Sequence, residues 1–256
     1  MSTYLWQNFL TDSTIRYRIA DKAQDFYIKN HCKTLIEIWP GKWSITKLIL
    51  NISSDFILFE KDETLKEILE DVISKKETWC AKIIWWDVLD WDLEQFEWKK
   101  EQTFVVGNLP YYITSPILKK FFWSWKWEFA GWLFMVQDEV WQKLRFDANK
   151  KSYLYRIVNY AYEVQYLKTV PAKAFSPAPK VKSCLIWLIK KKNIPNIPFD
   201  KLIRFLDLFS PYSRKTLWKI SKMISKKWGN SVVPENLSNK RLEELNWTQV
   251  EEIFNV

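Results

Sequence analysis

The stretch "LIEIWPGKWSIT", residues 35–46, reads as a buried strand ending in Glu37 and Ile38, then a turn, then a helix that starts near Ser44. A strand that turns directly into a helix is the first half of a βαβ unit. Outward from it, short β-rich apolar runs alternate with longer amphipathic ones. Strands are predicted at 34–38, 56–60, 81–84, 104–107, 132–136, 164–169 and 183–189. Helical spacing covers 44–51, 62–74, 115–123 and 137–144 between them. That order predicts an α/β fold, a Rossmann-like, doubly wound domain of seven strands. A run of three lysines at 190–192, followed by "NIPNIPFD" with Pro195 and Pro198, breaks both periodicities and reads as a linker. Beyond it the patterns are helical only, at 200–209, 211–226 and 240–253. The expected organisation is a main domain over 1–190 and a small all-α C-terminal domain over 191–256.

Composition narrows the function. The 256 residues carry a formal charge of +9, which favours an anionic partner, because Lys and Arg bound to phosphates release condensed counterions. Thirteen Lys or Arg lie between Lys180 and Lys227, against only Asp200 and Asp207. His31 is the single histidine, which argues against a Ser-His-Asp triad, a His-ligated metal or a histidine general base. Cys32, Cys80 and Cys184 are far apart and lack CxxC spacing, so no zinc site or disulfide frame is expected, and a reducing, cytoplasmic setting is. No apolar run is long enough for a membrane span, and the first residues do not form a signal peptide.

One imbalance stands out. The chain has 17 Trp and 4 Gly, whereas glycine ordinarily makes up about 7% of a protein and tryptophan far less. Together the two account for about the ordinary share of glycine alone. The imbalance would arise if UGA codons read as glycine in the cell were translated as tryptophan in the sequence. Trp39 and Trp43 bracket a turn, and Trp86 precedes Asp87 after a strand, where glycine chemistry is expected.

With glycine at 39 and 43 the opening stretch becomes a loop whose backbone N–H groups can approach a nucleotide-like ligand, although such a loop alone fits many dinucleotide sites. Glu60, at the end of the next strand, lies 19 positions after Gly41, where an acid can accept both ribose hydroxyls. Asp87 follows the third strand, and its carboxylate suits an adenine amine or, equally, a helix cap. The segment "VVGNLPYYITSPIL", 105–118, puts an amide, a proline and an aromatic ring at the carboxyl end of a buried strand. An adenine amino group is a poor nucleophile because its lone pair is delocalised into the ring. The Asn108 side-chain carbonyl, with the Leu109 or Pro110 backbone carbonyl, can accept both N6 hydrogens and favour a pyramidal nitrogen, while Tyr111 stacks on the base. No ionisable base is needed.

These motifs resemble the KsgA-type ribosomal RNA adenine dimethyltransferases over nearly the whole chain. "WQNFLTDSTI" at 6–15 is similar to the family's N-terminal segment, "IEIWPGKWSIT" to its cofactor loop and "NLPYYITSPIL" to its catalytic motif. "MVQDEVWQKL", "PAKAFSPAPKVKSCLIWL" and "SRKTLWKI" match a helix, a loop before the last strand and the basic helix of its C-terminal domain. The resemblance implies a class I methyltransferase domain that binds S-adenosylmethionine through Gln7, Asn8, Leu10, Glu37, Trp39, Gly41, Glu60, Lys61, Asp87, Val88 and Asn108. It implies that Leu109, Pro110, Tyr111 and Phe175 hold the flipped adenine, and that Lys180, Arg214 and Lys215 meet RNA. It further implies 16S rRNA within a small-subunit precursor as partner, no metal, no membrane, and a monomer. Trp6, Trp39, Trp43 and Trp86 depart from the family, each standing where it has glycine. Two other readings compete: a large-subunit adenine methylase conferring macrolide resistance, and a non-catalytic ribosome-assembly factor that literal tryptophans at 39 and 43 would favour.

Overall fold

The central strands form because their residues are buried on both faces. All five residues of Thr34–Ile38 are inaccessible, as a parallel strand covered by helices requires. A computed structural model of the chain describes residues 8–74, 81–90, 100–124, 129–228 and 233–255. Gln7, Trp6 and Cys80 lie outside the described residues. The main sheet has seven strands: β2 (Thr34–Ile38), β3 (Asp55–Glu60), β4 (Ala81–Trp85), β5 (Thr103–Asn108), β6 (Gly131–Gln137), β7 (Tyr162–Val170) and β9 (Ser183–Lys190). Their spatial order is β4-β3-β2-β5-β6-β9-β7, with β9 antiparallel to both neighbours and the first five strands parallel. From β2 the chain proceeds outward through β3 and β4, then returns to the other side of β2 with β5. The carboxyl ends of β2 and β5 therefore flank the switch point, where open α/β sheets bind ligands.

Helices cover both faces. On one, α1 (Ser13–Lys29) and α2 (Thr46–Ile49) pack Ile15, Ile19, Phe26 and Ile49 against Leu35, Phe104 and Leu133. On the other, α4 (Thr114–Ser124) and α6 (Tyr153–Ala161) set Ile117, Phe121 and Ile157 against Ile36, Val105 and Phe134. α3 (Lys66–Ser74) and α5 (Asp138–Leu144) complete the main layers. The second apolar cluster continues into α7 (Phe199–Phe209), α8 (Leu217–Trp228) and α9 (Trp247–Phe254) through Phe205, Ile220 and Val250. Arg156 fastens this helical region to α6. Wholly buried, it donates to the Leu242 and Leu245 carbonyls at 3.0 and 2.6 Å and stacks 5.3 Å from the Trp247 ring. No described helix is long and apolar enough to cross a membrane.

The seven predicted strands all form, most of them a residue or two longer than expected. α1, α6 and the two-residue strands β1 (Phe9–Leu10) and β8 (Phe175–Ser176), which pair with each other, were not foreseen. The helix expected over 211–226 begins only at Leu217, because Pro211 sits in a 3₁₀ turn, Ser210–Tyr212. The helix expected over 240–253 is divided: a 3₁₀ turn, Leu242–Glu244, ends at Leu245, and Asn246 starts α9 by accepting the Gln249 N–H at 2.8 Å. Among the described residues one antiparallel bridge, Thr216 to Arg241, interrupts the helical region. The lone histidine stops a helix: His31, at φ 52, follows α1 with the Cys32 N–H bonded to the Tyr27 carbonyl and its own to that of Ile28.

Candidate active site

β2 ends where the chain must turn sharply. The Trp39 N–H still bonds to the Phe59 carbonyl at 3.0 Å, and the Trp43 N–H closes a turn onto the Pro40 carbonyl at 3.0 Å. Between them the backbone is left-handed three times, at Trp39 (φ 58), Gly41 (φ 55) and Trp43 (φ 49). Only the middle one is a glycine. For a bulky L-residue this region is an outlier, because Cβ crowds the following carbonyl. Trp86 follows β4 without a left-handed backbone and is half exposed. At Gly41 a Cβ would also stand 3.3 Å from the Phe9 ring, so the N-terminal segment lies directly on this loop. The Lys42 ammonium sits over the same ring at 4.6 Å.

Beneath the loop, Glu60 is wholly buried at the end of β3. Its carboxylate accepts the Gly41 N–H at 3.0 Å and the Lys61 and Asp62 N–H groups at 2.9 Å each, which fixes its orientation. Burial raises its pKa while these donors pull it back. Glu37, the fourth residue of β2, is also buried, with Oε2 lacking a hydrogen-bond partner among the described residues. Burial, with Glu60 nearby as a like charge, pushes Glu37 up to about 8. Next along the edge, Asp87 receives the Lys61 ammonium at 2.7 Å and the Leu89 N–H at 2.9 Å. One oxygen of Asp87 thus holds the turn that follows β4, and the other meets Lys61.

At the end of β5, Gly107 lets the strand approach β2, since a Cβ there would stand 2.9 Å from the Ile38 carbonyl oxygen. Asn108 follows, half-buried, and its Nδ2 donates to the Asn8 carbonyl at 3.3 Å. With the amino end committed, Oδ1 is the end left to accept. The Pro110 carbonyl is already occupied, by the Ile113 N–H at 3.2 Å and the wholly buried Thr114 hydroxyl at 3.0 Å. No described residue donates to the Leu109 carbonyl. Of the two carbonyls that the sequence left open, Leu109 is the free acceptor and Pro110 braces the turn.

A small cleft joins these parts, lined by Asn8, Leu10, Trp39, Gly41 and Asn108 to Tyr111 among the expected residues, and also by Phe9, Pro40, Lys42, Ser44 and Ile45. Glu37, Glu60, Lys61, Asp87 and Val88 lie on the adjacent strand ends outside its lining. Val88 is 1% exposed and packs in the core. Phe175 is 4% exposed: β8 pairs it with Leu10, and it belongs to the apolar cluster on the α1 side. Lys180, Arg214 and Lys215 are all exposed. Sequence reasoning missed Thr114 and Ser183, whose hydroxyls meet Pro110 and Tyr111; neither follows a recognisable spacing.

Residues 2–255 match the sequence profile described as ribosomal RNA adenine dimethylase. A "Ribosomal RNA small subunit methyltransferase A" from Mycoplasmopsis synoviae is 34% identical over 255 residues, covering 98% of this chain and 94% of the relative. One of the same name from Streptococcus thermophilus is 34% identical, covering 93% and 81% respectively. Among solved structures, a dimethyladenosine transferase from Plasmodium falciparum superposes with a TM-score of 0.75 at 20% identity, covering 96% of each chain. The 23S rRNA methyltransferase ErmE does so at 0.65 and 20%, covering 97% of this chain and all of that one. At such identities the structural matches establish the fold alone.

Proposed function

The chain belongs to the ribosomal RNA adenine dimethylase family, and from that premise we propose that it transfers methyl groups to N6 of two adjacent adenosines in the 3′-terminal hairpin of 16S rRNA, in small-subunit biogenesis. The observation that carries the reading is the pair of acceptors at the end of β5: the Asn108 amide, held by Asn8, and the Leu109 carbonyl, left open while Pro110 is braced. Two acceptors converging on one amino group take both N6 hydrogens and turn the nitrogen lone pair outward, the function required where no base is present. The relatives carrying the small-subunit name favour this substrate over large-subunit RNA.

S-adenosylmethionine supplies the electrophilic methyl group when bound. The residues around the cleft suit it in all but two places. Glu60, oriented by three backbone donors, would hold the ribose hydroxyls, and Asp87 the adenine amine in competition with Lys61. Gly41, Asn8 and Leu10 would line the remainder, with Glu37 beneath and Val88 packing behind. The misfits are Trp39, which lines the cleft, and Trp43, both on left-handed backbone. Tyr111 would offer its ring to the extruded base; Phe175 would have to leave its buried position to offer a second face. Residues 1–190 would perform the chemistry as a cytoplasmic monomer, and 191–256, with Lys180 and the exposed Arg214 and Lys215, would grip the rRNA of a small-subunit precursor.

The test is methyl transfer from labelled S-adenosylmethionine to small-subunit particles that lack the modification, by the chain carrying glycine at 39 and 43. The expected product is dimethyladenosine at two neighbouring positions of the small-subunit RNA. Label only in large-subunit RNA, or none at all, would refute the proposal.

A further inference from the structure

Ser183 opens β9 and is wholly buried. It pairs with Gln137 at the end of β6 and with Val170 at the end of β7, so it closes the base of the loop, residues 171–182, that carries Phe175. A buried hydroxyl requires a partner. This one is the hydroxyl of Tyr111, 72 residues away in sequence. Tyr111 lies in the turn after β5, and β6 separates β5 from β9. The phenol therefore reaches across the carboxyl end of β6 while lining the cleft. Packing alone does not call for this arrangement, since a phenylalanine at 111 and an alanine at 183 would fill the space without a hydroxyl on either.

We propose that Ser183 is a positioning residue for methyl transfer, and that its hydrogen bond to the Tyr111 hydroxyl fixes the plane of the ring on which the target adenine stacks. The inference rests on the proposed function. Stacking on an aromatic face is worth about 1–3 kcal/mol per base, and that gain is realised for transfer only when the base arrives with N6 at Asn108 and Leu109. A ring free to turn about its side-chain torsions still binds the base, but over a wider range of orientations. The tether also joins the catalytic turn to the base of the Phe175 loop, so the two sides of the base pocket keep their register.

The experiment compares Ser183→Ala, Tyr111→Phe and the double variant with the parent chain, all carrying glycine at 39 and 43, in single-turnover methylation of small-subunit particles at saturating cofactor. Loss of one hydrogen bond should lower each single rate about five- to tenfold. The double variant should be no slower than the slower single one, and cofactor affinity should be unchanged. Tyr111→Phe keeps the ring and the serine, so it reads the tether even if Ser183→Ala folds poorly. Quenching of 2-aminopurine at the target position reads stacking without turnover, and should weaken in both single variants. Parental rates and quenching in both single variants, effects that multiply in the double variant, or cofactor affinity falling with the rate would overturn the tether alone. A parent that neither methylates nor quenches would overturn the functional reading, and this inference with it.

Discussion

Replacing Trp39 and Trp43 together by glycine should turn a chain that binds S-adenosylmethionine poorly into one that binds it well, with little gain in the stability of the free protein. Two opposing effects set this expectation. Left-handed backbone costs a non-glycine residue about 1–2 kcal/mol, so glycine at both positions relieves about 2–4 kcal/mol. Trp39, however, is 8% exposed and packs in the core, and removing a buried aromatic side chain costs about 3–5 kcal/mol. The two nearly cancel in the free protein, so its melting temperature is an uninformative readout. The cofactor decides the matter, because the space vacated at 39 lines the cleft it would enter. Ligand at one hundred times its Kd stabilises the folded state by about 2.7 kcal/mol, which for a chain of this length is about 5–10 °C. Paired melts with and without S-adenosylmethionine, and calorimetry for Kd, should show that shift in the glycine form and little or none in the tryptophan form. Equal shifts would refute the reasoning. So would peptides from the cellular protein that contain tryptophan at 39 and 43, because the recoding of UGA predicts glycine at both. Among the described residues, three buried indole N–H groups, on Trp132, Trp187 and Trp247, have no hydrogen-bond partner, and they point the same way, since buried tryptophans usually satisfy that donor.

Asn108→Ala should abolish methyl transfer while cofactor and RNA affinities fall much less, because the amide acts on N6 as the bond forms; RNA affinity falling enough to explain the whole loss would assign it to binding. Glu37→Gln should make the free protein's stability less dependent on pH. A carboxyl raised from about 4.5 to about 8 contributes stability that is fully present below 4.5 and declines by up to about 1.4 kcal/mol per pH unit until 8, so denaturation curves of the two proteins should converge at low pH and separate as it rises. Parallel curves from pH 5 to 9 would show that Glu37 does not titrate in that window. Replacing Arg214 and Lys215 by Gln should flatten the dependence of log RNA affinity on log salt by roughly two units if both touch phosphates, and an unaltered slope would mark them as solvated surface.

The fold was legible where one physical requirement governed a whole segment. Parallel strands buried on both faces appear as unbroken apolar runs, and each was found within a residue or two. The two helices that escaped notice lack a clean stripe. α1 buries Ile15, Ile19, Ala23 and Phe26 but exposes Tyr17 and Ile28, which blurs the contrast between its faces. α6 is buried from Leu154 to Ala161, and its Arg156 and Asn159 interrupt the apolar pattern while hydrogen-bonding to carbonyls inside the protein. The site divides in the same way. Asn108, Gly41 and Glu60 stand at strand ends or in turns, at spacings tied to one local geometry. Thr114 and Ser183 act through one hydroxyl each, on partners that only the folded chain brings together. The tryptophans show how the two sources of information combine: composition announced an excess but treated Trp39, Trp43 and Trp86 alike. The backbone separates them, because a left-handed φ demands glycine at 39 and 43, whereas the exposed Trp86 meets no such demand. If glycine does stand at 86 in the cell, its reason lies in ligand approach rather than in backbone strain.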